Sequence, residues 1–132
     1  MSPETKLFRQ IHPSWIQGGR VTSQAFKPTP KDEKQLSVDD GGQITPPDSF
    51  QHFTEVLKCP SCGVMAVTHA ECSEINLDVI PDPKPYPAHT LIDFSKLGTT
   101  QIEKHAKVLR SKAQERDWLY QSQAPVQPRG QA

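Results

Sequence analysis

Residues 19–40 read GRVTSQAFKPTPKDEKQLSVDD, and the fold class turns on how this stretch is read. Residues 20–26 (RVTSQAF) and 36–38 (LSV) are two short β-type runs, joined by a charged, proline-containing loop. In the first run Val21, Ser23 and Ala25 alternate with Thr22, Gln24 and Phe26, which is the two-residue period of a strand. Each face then mixes small hydroxyls with apolar groups, and core packing alone does not require that. Short hydroxyl side chains let a ligand or a second backbone come close and offer it donors. The stretch is therefore the first candidate for a functional surface.

Upstream, residues 7–11 (LFRQI) alternate as a first strand, ended by His12-Pro13 because proline cannot donate to a ladder. Residues 14–17 make a turn that holds Trp15 and Ile16 against the core, and Gly18-Gly19 resets the chain. Downstream, Thr45-Pro46-Pro47-Asp48 starts a helix with a hydroxyl cap, proline in the first turn and an acid near the positive end of the dipole. Phe50, Phe53 and Leu57 give it an apolar stripe. Residues 64–67 (VMAV) lack polar alternation and read as a central strand covered on both faces.

Thr68-x-x-Glu71 has capping-box spacing and opens a short helix to about residue 76, before a brief strand at residues 77–80. Residues 81–87 (PDPKPYP) read as an extended connection, and residues 89–94 (HTLIDF) as another strand. Thr100-x-x-Glu103 repeats the capping-box signal, and Ile102, Ala106, Leu109 and Ala113 mark one face of the longest helix. Residues 118–120 (WLY) suit a last edge strand. About five short strands, in a mixed or antiparallel sheet with three helices and no regular βαβ alternation, indicate an α+β fold. One domain over residues 1–120 is expected, with residues 121–132 as a flexible tail.

At 132 residues the chain suits one core that buries roughly two thirds of its extended surface. Fifteen basic and fifteen acidic residues cancel, which removes the usual electrostatic case for nucleic acid or an anionic membrane. Lys104, Lys107, Arg110, Lys112 and Arg116 crowd one segment, but Glu103, Glu115 and Asp117 sit among them, as on a solvated helix face. There is no signal-peptide layout at the start and no apolar run near the ~20 residues needed to span a bilayer. Three cysteines, two of them in Cys-x-x-Cys, do not form a secreted disulfide framework. A cytoplasmic protein is expected.

Cys59, Cys62, His69 and Cys72 have the composition of a tetrahedral zinc site, and Cys-Pro-x-Cys-Gly is a favoured knuckle for presenting two thiolates. Two features oppose that reading. The buried-strand pattern of residues 64–67, about 13 Å long at ~3.3 Å per residue, carries His69 away from the knuckle. The helix cap already explains Thr68 and Glu71, and Cys72 suits a core position.

The polar residues on or beside expected strands are Arg9, His12, Arg20, Thr22, Ser23, Ser37 and His89. If the strands are neighbours, Arg9 and Arg20 can hold an anion that Ser23 and a histidine orient. His89 follows a rigid proline-rich segment and is placed to act as an acid or base. Each residue also has a plain structural explanation: covering a sheet face, satisfying a turn, or sitting at a strand end in water. The functional reading requires the 20–26 stretch and His89 to share one hollow. No glycine-rich phosphate loop, His-Glu-x-x-His or nucleophile elbow is present.

Leu7-Phe8-Arg9-x-x-His12-Pro13, Thr22-Ser23-x-Ala25-Phe26, Leu36-Ser37-Val38, Asp82-Pro83 and Pro87-Ala88-His89 together resemble a group of small uncharacterised bacterial proteins. That group has an arginine on the first strand, a Ser-x-Ala-Phe strand, a Leu/Met-Ser-Val strand and a late Pro-x-His. The resemblance spans roughly residues 7–120. It implies a bacterial stand-alone domain and no particular activity, and the Cys59–Cys62 knuckle is not part of its pattern. A looser similarity to ADP-ribosyltransferase-like folds implies Arg9 or His12, with Thr22 and Ser23, around a nicotinamide dinucleotide. The glutamate those enzymes often use has no counterpart here.

The expectation that follows is a binding or accessory module. It would contact a protein partner or a phosphorylated small molecule through Arg9, Arg20, Ser23 and His89. The alternatives are an NAD-using transferase on the same face and a zinc-stabilised structural module.

Overall fold

Three strands set the frame. β1 (Lys6–Gln10) runs antiparallel between β4 (Gln35–Asp40) and β5 (Gly63–Thr68). The computed structural model describes residues 1–28 and 33–122. Beyond β4 lie β7 (His89–Asp93) and then β6 (Asp78–Pro81), and beyond β5 lies the two-residue β8 (Tyr120–Gln121). The six-stranded order is β6-β7-β4-β1-β5-β8, with every neighbouring pair antiparallel. With the helices described below, this is the expected α+β class.

A separate two-stranded ribbon, β2 (Ile16–Gln17) and β3 (Arg20–Val21), turns at Gly18 and Gly19. Their φ values of 58° and 78° lie in the left-handed region that tight hairpins require and glycine tolerates.

Side-chain alternation gives the sheet two unlike faces. Leu7, Leu36, Val38, Met65, Val67 and Ile92 point to one side, where they join Ala25, Phe26 and Phe94 in the main core. α3 (Thr99–Arg116) closes that side with Ile102, Ala106, Leu109 and Ala113, all buried as their spacing predicts. Phe8, Val64 and Ala66 point the other way and pack with Phe50, Leu119 and Tyr120. β5 is thus covered on both faces, although it lies next to the edge strand rather than at the centre of the sheet.

α1 (Pro46–Gln51) is capped by Thr45, whose Oγ1 accepts from the Asp48 amide at 3.3 Å. It widens into a π-helical turn at His52–Val56, where the Thr54 hydroxyl donates to the Phe50 carbonyl at 2.9 Å. That carbonyl is the one an α-helical Thr54 amide would use. α2 (His69–Glu74) has the full capping box: the Thr68 amide donates to Glu71 at 2.8 Å and the Glu71 amide to Thr68 Oγ1 at 3.2 Å.

Four expectations are corrected. Residues 20–26 are not one strand, because extended geometry stops at Val21 and Ser23–Phe26 is a 3₁₀ turn. The Thr22 amide and hydroxyl both donate to the Trp15 carbonyl at 2.9 Å, a local bond that competes with a ladder. Residues 81–87 do not run straight. They turn back so that the Asp82 amide donates to the His89 carbonyl at 2.9 Å, closing a β6–β7 hairpin. α3 is capped by Gly98 rather than Thr100, with Gln101 Oε1 accepting the Gly98 amide at 3.3 Å. Gln121 belongs to β8, and the Ser122 amide donates to the Cys62 carbonyl at 3.0 Å. The remainder of the expected tail, residues 123–132, and the middle of the charged loop, residues 29–32, lie outside the described residues. No helix among the described residues is long and apolar enough to cross a membrane.

Candidate functional site

Because Leu36 and Val38 face the core, Ser37 between them must face away from it, and it is exposed there. In the β4–β7 register Asp39 stands opposite His89 and Ser37 opposite Leu91, so Ser37 and His89 are diagonal neighbours on one surface. Ser37 Oγ lies 3.3 Å from His89 Nε2. The hairpin turn brings Asp82 to the other edge of the ring, with its Oδ2 at 3.1 Å and its carbonyl at 3.2 Å from Nδ1. Both groups facing Nδ1 are acceptors, so in the neutral imidazole the proton sits on Nδ1. Nε2 then offers its lone pair to the Ser37 hydroxyl. The histidine side chain is only 12% exposed and that of Asp82 35%, which holds the ring in this orientation.

Behind this trio runs a buried hydrogen-bonded chain. Ser61 Oγ donates to Gln10 Oε1 at 2.9 Å, Gln10 Nε2 to Ser49 Oγ at 2.9 Å, and Ser49 Oγ to Asp39 Oδ2 at 2.6 Å. The Tyr86 hydroxyl donates to Asp39 Oδ1 at 2.7 Å. Burial, then the bond to Asp39 and its charge, push the Tyr86 hydroxyl well above the ordinary phenol range, so it remains a donor. The Tyr86 ring is wedged between His52, at 4.3 Å between centroids, and His89, at 5.2 Å.

Arg9 adjoins the trio where two strands part. β1 and β4 pair only at Leu7–Asp40 and Phe8–Asp39. Beyond that point the Ser37 carbonyl accepts from Arg9 Nη1 at 3.0 Å, while Arg9 Nε donates to the Ala25 carbonyl at 2.7 Å. The guanidinium lies 5.0 Å from the centroid of the Trp15 ring. The parting leaves a hollow of about 40 Å³ lined by Arg9, Ser37, Asp39, Phe53 and Tyr86.

Of the residues singled out from sequence, Ser37 and His89 come together; Arg9 reaches only the Ser37 carbonyl, its guanidinium being held by the Ala25 carbonyl beside Trp15, and the others lie elsewhere. His12 caps the 3₁₀ turn Pro13–Trp15, its Nδ1 accepting from the Ser14 amide at 3.0 Å. Thr22 is engaged with Trp15, and Ser23 opens the 3₁₀ turn that packs toward α3. Arg20 is exposed and lines a shallow groove with Arg110, Gln114 and Glu115 of α3. The 20–26 stretch therefore lies across the sheet from His89, and the two share no hollow.

Asp82, Tyr86 and Asp39 were not singled out. Pairing residues 77–80 with 89–94 as a hairpin would have set Asp82 beside His89. An aspartate before proline is a turn signal that supports that pairing.

The four potential zinc ligands are dispersed. Cys62 is buried with its thiol donating to the Ile11 carbonyl at 3.3 Å, and Cys72 lies in the main core. Cys59 bonds to the Leu57 carbonyl at 3.4 Å, and His69 Nδ1 lies 3.5 Å from Ser73 Oγ. Among the described residues no group of three or more His, Cys, Asp or Glu side chains is arranged to hold a metal ion. Burial, with the Glu71 charge adding to it, pushes the Cys72 thiol up to about 12, and burial also raises Cys62. Neither has the environment of a reactive thiolate.

Searches against family models, curated proteins and solved structures found no match to this chain. Fold and site together define a small α+β domain that carries a hydrogen-bonded serine–histidine–aspartate run, its serine exposed, on the sheet face opposite the main core.

Proposed function

We propose that the protein is a binding module whose contact surface is the open half of the sheet around Ser37 and His89, and that its partner is a protein. The observation that carries this reading is a row across three strands. Ile80, Leu91 and Ser37 stand side by side in register, and Ile80 is 38% exposed. An apolar centre with a hydrogen-bonding end suits a docked polypeptide segment.

Electrostatics favours this partner over a phosphorylated small molecule. Asp78 and Asp93 form the next row, where Lys96 pairs with Asp78 at 3.4 Å and leaves Asp93 as the row's acid without an ion pair among the described residues, and Asp82 adjoins His89. Opposing them, the nearby guanidinium of Arg9 already donates to two backbone carbonyls. A surface of that sign repels phosphate and attracts lysine and arginine. The hollow of about 40 Å³ is also far below the 300–1,000 Å³ typical of small-molecule sites. The fitting partner segment carries an apolar anchor flanked by basic residues.

The test is a two-dimensional NMR titration of the chain with short peptides that have a central leucine and either lysine or glutamate flanks, and with inorganic phosphate. Shifts confined to residues 35–37, 78–82 and 89–93, produced by the basic peptides alone, are expected. Shifts on α3, or a stronger response to phosphate or to the acidic peptides, would overturn the reading.

A further inference from the structure

The hydrogen-bonded order at this surface is exposed hydroxyl, imidazole, carboxylate, and binding alone does not require it. We infer that Ser37 is a nucleophile that accepts an acyl group from a small activated ester, with His89 as its base and Asp82 as the residue that positions the base. Two observations converge. Ser37 Oγ is on the surface and 3.3 Å from His89 Nε2, close to hydrogen-bond reach for a nucleophile and its base. The two acceptors around Nδ1 leave Nε2 unprotonated in the neutral ring, which is the tautomer a base needs.

The step balances without an outside reagent. An electron pair of Ser37 Oγ attacks the ester carbonyl carbon, and the hydroxyl proton passes to His89 Nε2. The tetrahedral adduct collapses, the bond from the carbonyl carbon to the leaving oxygen breaks, and the leaving group departs as a phenolate-type anion. His89 gives its proton to solvent, and Ser37 is left as an ester. Water then attacks that ester with His89 again as base, which releases the carboxylic acid and restores the hydroxyl. The substrate class is an activated ester of a short acyl group. The hollow beside Ser37, about 40 Å³, suits a short acyl group, and a phenolate-type group leaves without being protonated.

This inference goes beyond the binding reading and is measured separately, because acylation by a small ester needs no partner and peptide-induced shifts need no acylation. The folded chain is incubated with p-nitrophenyl acetate; p-nitrophenolate release is followed, and the acetylated residue is located by peptide mass mapping. Acetylation at Ser37 is expected. It should disappear in Ser37→Ala, persist as a thioester in Ser37→Cys, and slow by roughly 10²- to 10⁴-fold in His89→Gln.

Asp82→Asn weakens one of the two acceptors at Nδ1 and keeps the backbone carbonyl, so it should slow acetylation and raise the fraction of the neutral ring protonated on Nε2, read by ¹⁵N chemical shifts. A merely structural aspartate would not produce that second change. Circular dichroism and thermal melting confirm that each variant is folded. A folded wild-type chain that neither releases p-nitrophenolate nor is acetylated at Ser37, acetylation scattered over lysines, or an unchanged rate in His89→Gln would overturn the inference.

Discussion

The two faces of one sheet are built from alternate residues of the same strands, yet they are organised by different forces. On the α3 side, Leu7, Leu36, Val38, Met65, Val67 and Ile92 meet a helix stripe in a continuous apolar core. On the other side, Phe8, Val64 and Ala66 form only a small cluster, and the neighbouring positions hold Gln10, Asp39, Ser37 and His89 in hydrogen bonds. Apolar burial is non-directional and scales with area, whereas hydrogen bonds contribute little net energy but fix geometry. Stability should therefore be concentrated on the first face and positional precision on the second.

The largest effect should come from the first face. Leu109 is fully buried under the sheet, and Leu109→Ala should cost about 2–5 kcal/mol in denaturant unfolding. A cost below about 1 kcal/mol would mean that the α3 side is not the principal core. On the second face, Asp39→Ala removes the acceptor for the Ser49 and Tyr86 hydroxyls and should cost about 1–3 kcal/mol. A neutral result would show that water satisfies those hydroxyls and that the chain of bonds is not closed.

Arg116 ties α3 to α2 and the sheet: its Nη2 donates to Glu71 at 2.9 Å and its Nη1 to the Ala66 carbonyl at 2.8 Å. Burial alone would raise the Glu71 carboxyl. The bonds from Arg116 and the Thr68 amide, with the charges of Arg116 and Lys112, outweigh it and hold the carboxyl below its ordinary value. A lowered folded value means that the unfolded chain binds the proton first. The stabilisation is thus present above the ordinary glutamate range and is lost as pH falls through the folded value. Glu71→Gln should cost about 1 kcal/mol at neutral pH and flatten the acid limb of a stability-against-pH curve. An acid limb identical to wild type would place that dependence elsewhere. The smallest effect belongs to the open surface, where Ile80→Ala should change unfolding by less than about 0.5 kcal/mol. A larger loss would show Ile80 to be a core residue and spoil the surface row.

What was legible from sequence follows the same division. Periodicity located the buried side chains of α3, the doubly covered β5 and the Thr68–Glu71 cap, because local pattern and neighbouring contacts decide those elements. Arg9, Ser37 and His89 were identifiable as polar residues on strands, but their grouping depended on which strands pair. Residues 20–26 mimicked a strand because alternation was read where hydroxyl-to-carbonyl bonds make a 3₁₀ turn. Residues 81–87 concealed the hairpin because three of their four prolines, Pro81, Pro83 and Pro85, suggest a rod, and only the β6–β7 register reveals the reversal that delivers Asp82. The hidden parts of the site are the ones fixed by non-local pairing.

The most direct test of this account is the protonation state of a single ring. With ¹⁵N-labelled histidine, the ring-nitrogen shifts of His89 are measured at a pH where the imidazole is neutral. A protonated Nδ1 and an unprotonated Nε2 are the result expected if Asp82 holds the ring toward Ser37. A proton on Nε2 would contradict it and would leave Ser37 without its base.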